Sequence, residues 1–179
     1  MLARTESLVG TDPVPVAATV VALGGALTLA GAWFFQLVIG LPPCPLCLEQ
    51  RIAYYIVVPL AAMVLIGASV NSTRKLLIGA LLFIAAVMIW NTYLGTYHAG
   101  VEWKWWPGPT DCSGDLTSLG KAGNLLNSIQ TSSVVRCDKV PWSLFGISLA
   151  GFNALISTAL AAVAAWGGIT AWRRMPAAG

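Results

Sequence analysis

Residues 40–70 read GLPPCPLCLEQRIAYYIVVPLAAMVLIGASV, so a C-x-x-C, Cys44 and Cys47, stands directly ahead of a long apolar run. That run covers about 52–70. Three more runs of the same kind lie at about 14–41, 76–94 and 142–172. Each approaches or exceeds the roughly 20 residues that a helix needs to cross a bilayer. Lipid cannot satisfy free backbone polar groups, so helix is the conformation expected of them. Composition agrees. Of the 179 residues, 57% are hydrophobic and 9% charged, where a soluble domain carries about 25% charge. The mean hydropathy is +0.76. The expected fold is an all-α membrane protein, a single integral domain over 1–179 built as a four-transmembrane-helix bundle.

Four spans place both termini on one side. Arg4, the pair Arg74 and Lys75, and the pair Arg173 and Arg174 fall on that side, close to helix ends. The positive-inside rule makes it cytoplasmic. Five basic residues, Arg51, Lys104, Lys121, Arg136 and Lys139, lie opposite but are spread over more chain. All four cysteines also lie opposite, and lasting disulfides need an oxidising compartment. The expected location is a bacterial inner membrane, with a short first periplasmic loop at about 42–51 and a long second one at about 95–141. The first span does not read as a cleaved signal peptide. Glu6 and Asp12 precede it, and it outruns an apolar h-region of roughly 7–15 residues. No basic patch interleaved with aromatics is present, which argues against a nucleic-acid partner.

A loop as long as the second one is more often functional than idle. Trp103, Trp105 and Trp106 suit the headgroup region. Leu116, Leu119, Gly123 and Leu126 suggest a short amphipathic helix lying in the interface. Within the spans, Gly146, Ala150, Ala154 and Thr158 form a small-residue stripe for close packing, and Asn91 and Asn153 are placed to bond across helices. Trp90 and Tyr93 read as interface anchors, with the wall of an apolar pocket as the alternative, and Pro59 as a kink.

The cysteines are Cys44, Cys47, Cys112 and Cys137. Four cysteines allow three pairings, and spacing alone does not select one. Pro43 and Pro45 stiffen Cys44. A helix N-terminus and a nearby cation both favour a thiolate. Arg51, four residues after Cys47, shares its helical face if the helix has begun there, whereas Glu49 points elsewhere. A C-x-x-C closes a tiny loop and so constrains the unfolded chain little; it makes more sense as a redox centre than as a staple. Cys112 follows a turn-rich stretch, Pro107 to Asp111, and Cys137 lies between Arg136 and Asp138. Exposed loop disulfides are the ones an external thiolate attacks most easily. Plainer readings are a zinc site, disfavoured by the wide spacing of the second pair and the single histidine, and a disulfide-stapled scaffold without turnover.

Cys44-Pro45-Leu46-Cys47-Leu48-Glu49-Gln50-Arg51 at the mouth of the second span, Tyr97-His98-Ala99-Gly100-Val101-Glu102-Trp103 at the end of the third, Cys112, and Cys137 ahead of Pro141-Trp142 together resemble the DsbB family of disulfide bond formation proteins. The resemblance runs from first helix to last. In the related vitamin K epoxide reductase type the C-x-x-C falls late in the chain, not before the second span. The resemblance implies a quinone-dependent thiol oxidase. A DsbA-like, thioredoxin-fold partner attacks Cys112, with Cys137 as the other loop thiol. Electrons then pass to Cys44 and Cys47. Cys47 as a thiolate meets a membrane quinone, ubiquinone or menaquinone. Arg51 is the quinone-side cation, and His98 lies near the quinone ring.

Overall fold

The computed structural model describes residues 12–109 and 136–175. Cys112 and the amphipathic segment around Leu116–Leu126 lie outside them. Four long helices form an up-and-down bundle: α1 (Pro13–Leu37), α2 (Pro45–Ser69), α3 (Arg74–Glu102) and α4 (Leu149–Arg173). All four are long and apolar enough to cross a membrane. A minimal hairpin, β1 (Ser143–Leu144) with β2 (Ile147–Ser148), precedes α4. The chain is an all-α four-span bundle.

Its packing is that of a protein in lipid. The interior is filled by modest side chains such as Val21, Val57, Leu81, Ile84, Met88 and Ala164. Larger apolar groups, including Leu27, Met63, Ile66, Phe83 and Trp90, stand exposed around the outside. In water such a continuous apolar belt would drive association; in a bilayer it is the solvent-facing surface.

Helix ends depart from the apolar runs in four places. α1 ends at Leu37, four residues before the expected 41 and ahead of the positive-φ Gly40. α2 begins at Pro45 rather than near residue 52. Proline suits the first helical turn because its missing N–H is not needed there, and Cys44 caps the helix with its sulfur, which accepts the Cys47 N–H at 3.2 Å. Polar Glu49, Gln50 and Arg51 hid this turn from an apolar count. α3 runs on to Glu102, eight residues past the expected end, because His98 and Glu102 turn inward and are buried. α4 begins at Leu149, not near 142, because Phe145 and Gly146 both take positive φ, 52° and 80°. That pair of angles is the tight hairpin turn glycine favours. Gly146 therefore belongs to the turn and not to the helix stripe. At the opposite end of the bundle Asp12 caps α1 and accepts two hydrogen bonds from Arg74, at 2.7 and 2.9 Å. The Arg74 guanidinium holds the Asp12 carboxyl below its usual range.

α3 and α4 make the most extensive pairing, and the rest of the stripe explains it. A methyl group added at Gly95 would meet the Ala154 backbone nitrogen at 3.0 Å, and Thr158 donates to the Thr92 hydroxyl at 3.3 Å. Gly95→Ile should therefore destabilise the bundle by about 1–3 kcal/mol, the cost of overpacking a close contact. Gly79, with nothing within 4 Å, supplies the control Gly79→Ile. Thermal unfolding in detergent should separate the two variants. Equal melting temperatures would contradict the close approach of α3 and α4.

Candidate active site

The bundle end where α2 starts and α3 finishes gathers the chemistry. Cys44 and Cys47 are free thiols in this structure. Cys44, Leu46, Val101 and Cys137 form a small buried cluster, with Cys47 and Tyr97 packed against it. Cys137 is disulfide-bonded. The last segment before the hairpin thus brings a bonded cysteine down onto the free pair, although 90 residues separate Cys137 from Cys47 in sequence. Arg136 and Asp138 flank it as an exposed ion pair, 2.6 Å apart.

α2 sorts its polar residues onto different sides. Because the helix has begun by Pro45, Cys47 and Arg51 are one turn apart on one face. The Arg51 guanidinium leans onto α1, donating to Gln36 Oε1 at 2.6 Å and to the Ala32 carbonyl at 3.4 Å, and lies 5.9 Å from the Trp33 ring centroid. It makes no hydrogen bond to Cys47, though its charge reaches that thiol. Glu49 opens onto a different side, a groove of about 550 Å³ between α2 and α3 lined by Ile52, Ala53, Ile56 and Trp90.

Gln50 faces the interior and was not singled out by the sequence. Its amide nitrogen donates to the Leu46 carbonyl at 3.1 Å and to His98 Nδ1 at 2.9 Å, while its Oε1 accepts from Asn153 Nδ2 at 2.6 Å. The Leu46 carbonyl can only accept, which fixes which end of the amide points that way. His98 Nδ1 must then be the bare nitrogen, and Nε2 carries the proton. That Nε2 lies 3.7 Å from Cys44 Sγ. The structure therefore seats the His98 N–H in the interior, beside Cys44 Sγ and the Cys137 backbone, away from the Arg51 face. Beyond Asn153 the chain of contacts continues to the Tyr54 hydroxyl at 2.7 Å and through Ser157 to Asn91 at 2.9 Å. The two asparagines do bond across helices, by way of Ser157 and of each other at 3.5 Å.

Two hydrogen-bonded thiols lose their protons in two steps that belong to the pair. The second step is the hard one. Cys44 is pushed up by its hydrogen bond with Cys47 and by burial. The sulfurs of Cys44 and Cys47 and a ring nitrogen of His98 lie within 4.8 Å of one another, close enough to raise the zinc reading again. A metal-bound histidine, however, donates its other ring N–H to an acceptor. Here the other nitrogen accepts from Gln50, which leaves the ring an N–H, not a bare nitrogen, on the side of the sulfurs.

Comparison with known proteins agrees with this chemistry. The family described as "Disulfide bond formation protein DsbB" matches residues 15–167. Among curated relatives, "Disulfide bond formation protein B" of Xylella fastidiosa (strain Temecula1 / ATCC 700964) is 31% identical over 154 residues, covering 83% of this chain and 86% of that one. The protein of the same name from Hahella chejuensis is 29% identical over 162 residues, covering 84% and 90%. The one from Polaromonas sp. (strain JS666 / ATCC BAA-500) is 26% identical over 145 residues, covering 80% and 83%. No solved structure matches the chain significantly.

His98 is the only histidine, so its tautomer can be read directly by nitrogen NMR of imidazole-labelled protein. The wild type should show a protonated Nε2 and a bare Nδ1. Gln50→Glu replaces the donor by a carboxylate and should reverse the two. A protonated Nδ1 in the neutral wild-type ring would contradict the assigned network.

Proposed function

The chain belongs to the DsbB family of disulfide bond formation proteins, as a multi-pass membrane oxidoreductase that forms disulfides, and from that membership we propose the route its electrons take. A periplasmic, DsbA-like thioredoxin-fold dithiol attacks Cys112. The loop pair, Cys112 with Cys137, is reduced and in turn reduces the Cys44–Cys47 disulfide. The free pair then delivers two electrons to a membrane quinone, ubiquinone or menaquinone. The observation that carries this reading is the cluster of Cys44, Cys47 and a disulfide-bonded Cys137 at one end of a membrane bundle.

Energetics require an acceptor at the end of the route. A DsbA-type oxidase stands at about −120 mV, and ordinary structural disulfides lie below about −300 mV. Reoxidising the partner with such a disulfide would be uphill by about 180 mV, or roughly 8 kcal/mol for two electrons at about 1.4 kcal/mol per 30 mV. A quinone supplies the missing pull as a two-electron acceptor dissolved in the bilayer. The residues on the Arg51 side fit such a group. Cys47 and Arg51 are both half-buried, and Trp33, Leu37 and Leu48 present apolar surface outward. Arg51, held by Gln36 and Ala32, places a fixed positive charge one turn from the Cys47 sulfur and favours its thiolate. His98 Nε2–H stabilises negative charge on Cys44 when exchange with the loop pair releases it. Both termini lie in the cytoplasm of a bacterial cell with this bundle in its inner membrane, so that the cysteine end faces the oxidising side.

Cys47→Ser should abolish quinone reduction by a reduced thioredoxin-fold partner while leaving the helical fold intact, as followed by quinone absorbance and circular dichroism. Turnover that survives the substitution rejects the route. Cys112→Ala should prevent the mixed disulfide with the partner, and an undiminished mixed disulfide on a non-reducing gel would remove Cys112 from the role given it here.

A further inference from the structure

Closing a dithiol releases two protons as well as two electrons, and the site must put those protons somewhere. Most groups around the pair cannot take them. Arg51 has no acceptor atom. His98 Nδ1 is occupied by the Gln50 amide, and its Nε2 already carries a proton toward Cys44. The Tyr97 hydroxyl donates to the Pro107 carbonyl. The Ser148 hydroxyl accepts the Gly151 N–H and donates to the carboxylate of Glu102.

Glu102 is different. It is the last residue of α3, one turn beyond His98 on the same face, and is only 6% exposed. Its neighbour Val101 packs with Cys44 and Cys137 in the small buried cluster, and His98, one turn back, lies 3.7 Å from Cys44 Sγ. Ser148 supports its carboxylate, yet Oε2 is buried and makes no hydrogen bond among the described residues. A buried acceptor left without a partner costs about 1–3 kcal/mol or more, and such a group in a native site calls for a reason.

We propose that Glu102 is the proton acceptor for the Cys44 thiol when Cys44 and Cys47 close to a disulfide. The step balances as follows. The Cys44 S–H bond breaks and its proton moves to Glu102 Oε2. The Cys44 sulfur bonds to the Cys47 sulfur, whose own proton has already left. Two electrons pass to the oxidant, the quinone of the proposed function, and both protons end on its reduced form, the second by way of Glu102. In placing this step within turnover the inference rests on the proposed function; as a statement about pair closure it does not need a quinone.

Diamide, a small disulfide-forming oxidant that takes two electrons and two protons from a dithiol, therefore tests it on the full-length protein. Closure is followed by loss of alkylatable Cys44 and Cys47. Ser148, from the start of α4, hydrogen-bonds the Glu102 carboxylate, and it, His98 and the two thiols are unchanged in the variants. Near neutral pH, Glu102→Gln should close at least about tenfold more slowly than wild type, within the range of general-base contributions. The gap should narrow at alkaline pH, where hydroxide can take the Cys44 proton in place of the carboxylate. Glu102→Asp should recover part of the rate. Wild-type closure in Glu102→Gln near neutrality overturns the proposal. So does a deficit of equal size at every pH, which marks a packing defect. A soluble quinone replaces diamide in a parallel arm. If the wild type leaves the quinone oxidised, the electron route falls while the diamide comparison still decides the role of Glu102.

Discussion

The sulfur of Cys44 caps α2, and much of the architecture follows from that one contact. A helix entering a membrane brings free N–H groups at its first turn, and these need acceptors. Serine, threonine, aspartate or asparagine ordinarily serve. Here a thiol does, through the Cys47 N–H. Pro45 removes one of the other donors outright. The reactive pair is therefore not appended to a finished helix but is the helix's own first turn. The positive end of the helix dipole falls on the same atoms, which favours sulfur as an anion.

The polar layer beneath the pair extends this cap into the bundle. Gln50, His98, Asn91, Asn153, Tyr54 and Ser157 come from three helices and meet at one level. Interhelical hydrogen bonds in membranes contribute modestly to stability, about 0.6 kcal/mol on average. Their greater effect is on register. Sliding α4 by one residue against α3 would carry Asn153 away from both Gln50 and Asn91 and break the Gly95–Ala154 contact. The layer thus holds His98 in one position and one tautomer, and that fixes which nitrogen meets Cys44. The small-residue packing of α3 on α4 and the chemistry of the imidazole are two consequences of the same alignment.

Hydropathy made the four spans legible, because twenty apolar residues in a row admit few other readings. It also made their ends illegible. The first turn of α2 and the last two turns of α3 are polar, and a polar turn at a membrane surface looks like loop until its side chains are known to face inward. Gln50 and Glu102 were missed for that reason. The signal was present: Asn91, Gly95, His98 and Glu102 fall at i, i+4, i+7 and i+11, one continuous helical face if α3 is read to its true end. Arg51 illustrates the opposite limit. Spacing put it on the face of Cys47, but the direction of a long side chain depends on what it can reach, and Gln36 and the Ala32 carbonyl lie on a helix that local spacing says nothing about. The Cys137 approach to Cys44 was likewise beyond any spacing argument, since it depends on how the hairpin before α4 turns.

α2 consequently divides the site into two environments. Toward α1 lie a permanent cation, an indole and lipid-facing apolar surface, with no acid among the described residues there. Toward α3 lie an imidazole locked as a donor and a buried carboxylate with an idle oxygen. On the proposed route, electrons leaving for a bilayer-dissolved acceptor are favoured on the first side, where positive charge would stabilise the reduced acceptor. Protons released from sulfur are favoured on the second, where a base waits out of contact with water. A pair placed at the first turn of a helix reaches both sides at once, because Cys44, in the cap, lies against His98 while Cys47 sits one turn from Arg51. Had the C-x-x-C stood two residues earlier, in the extended segment before Pro45, neither sulfur could have met Arg51 on one flank and His98 on the other.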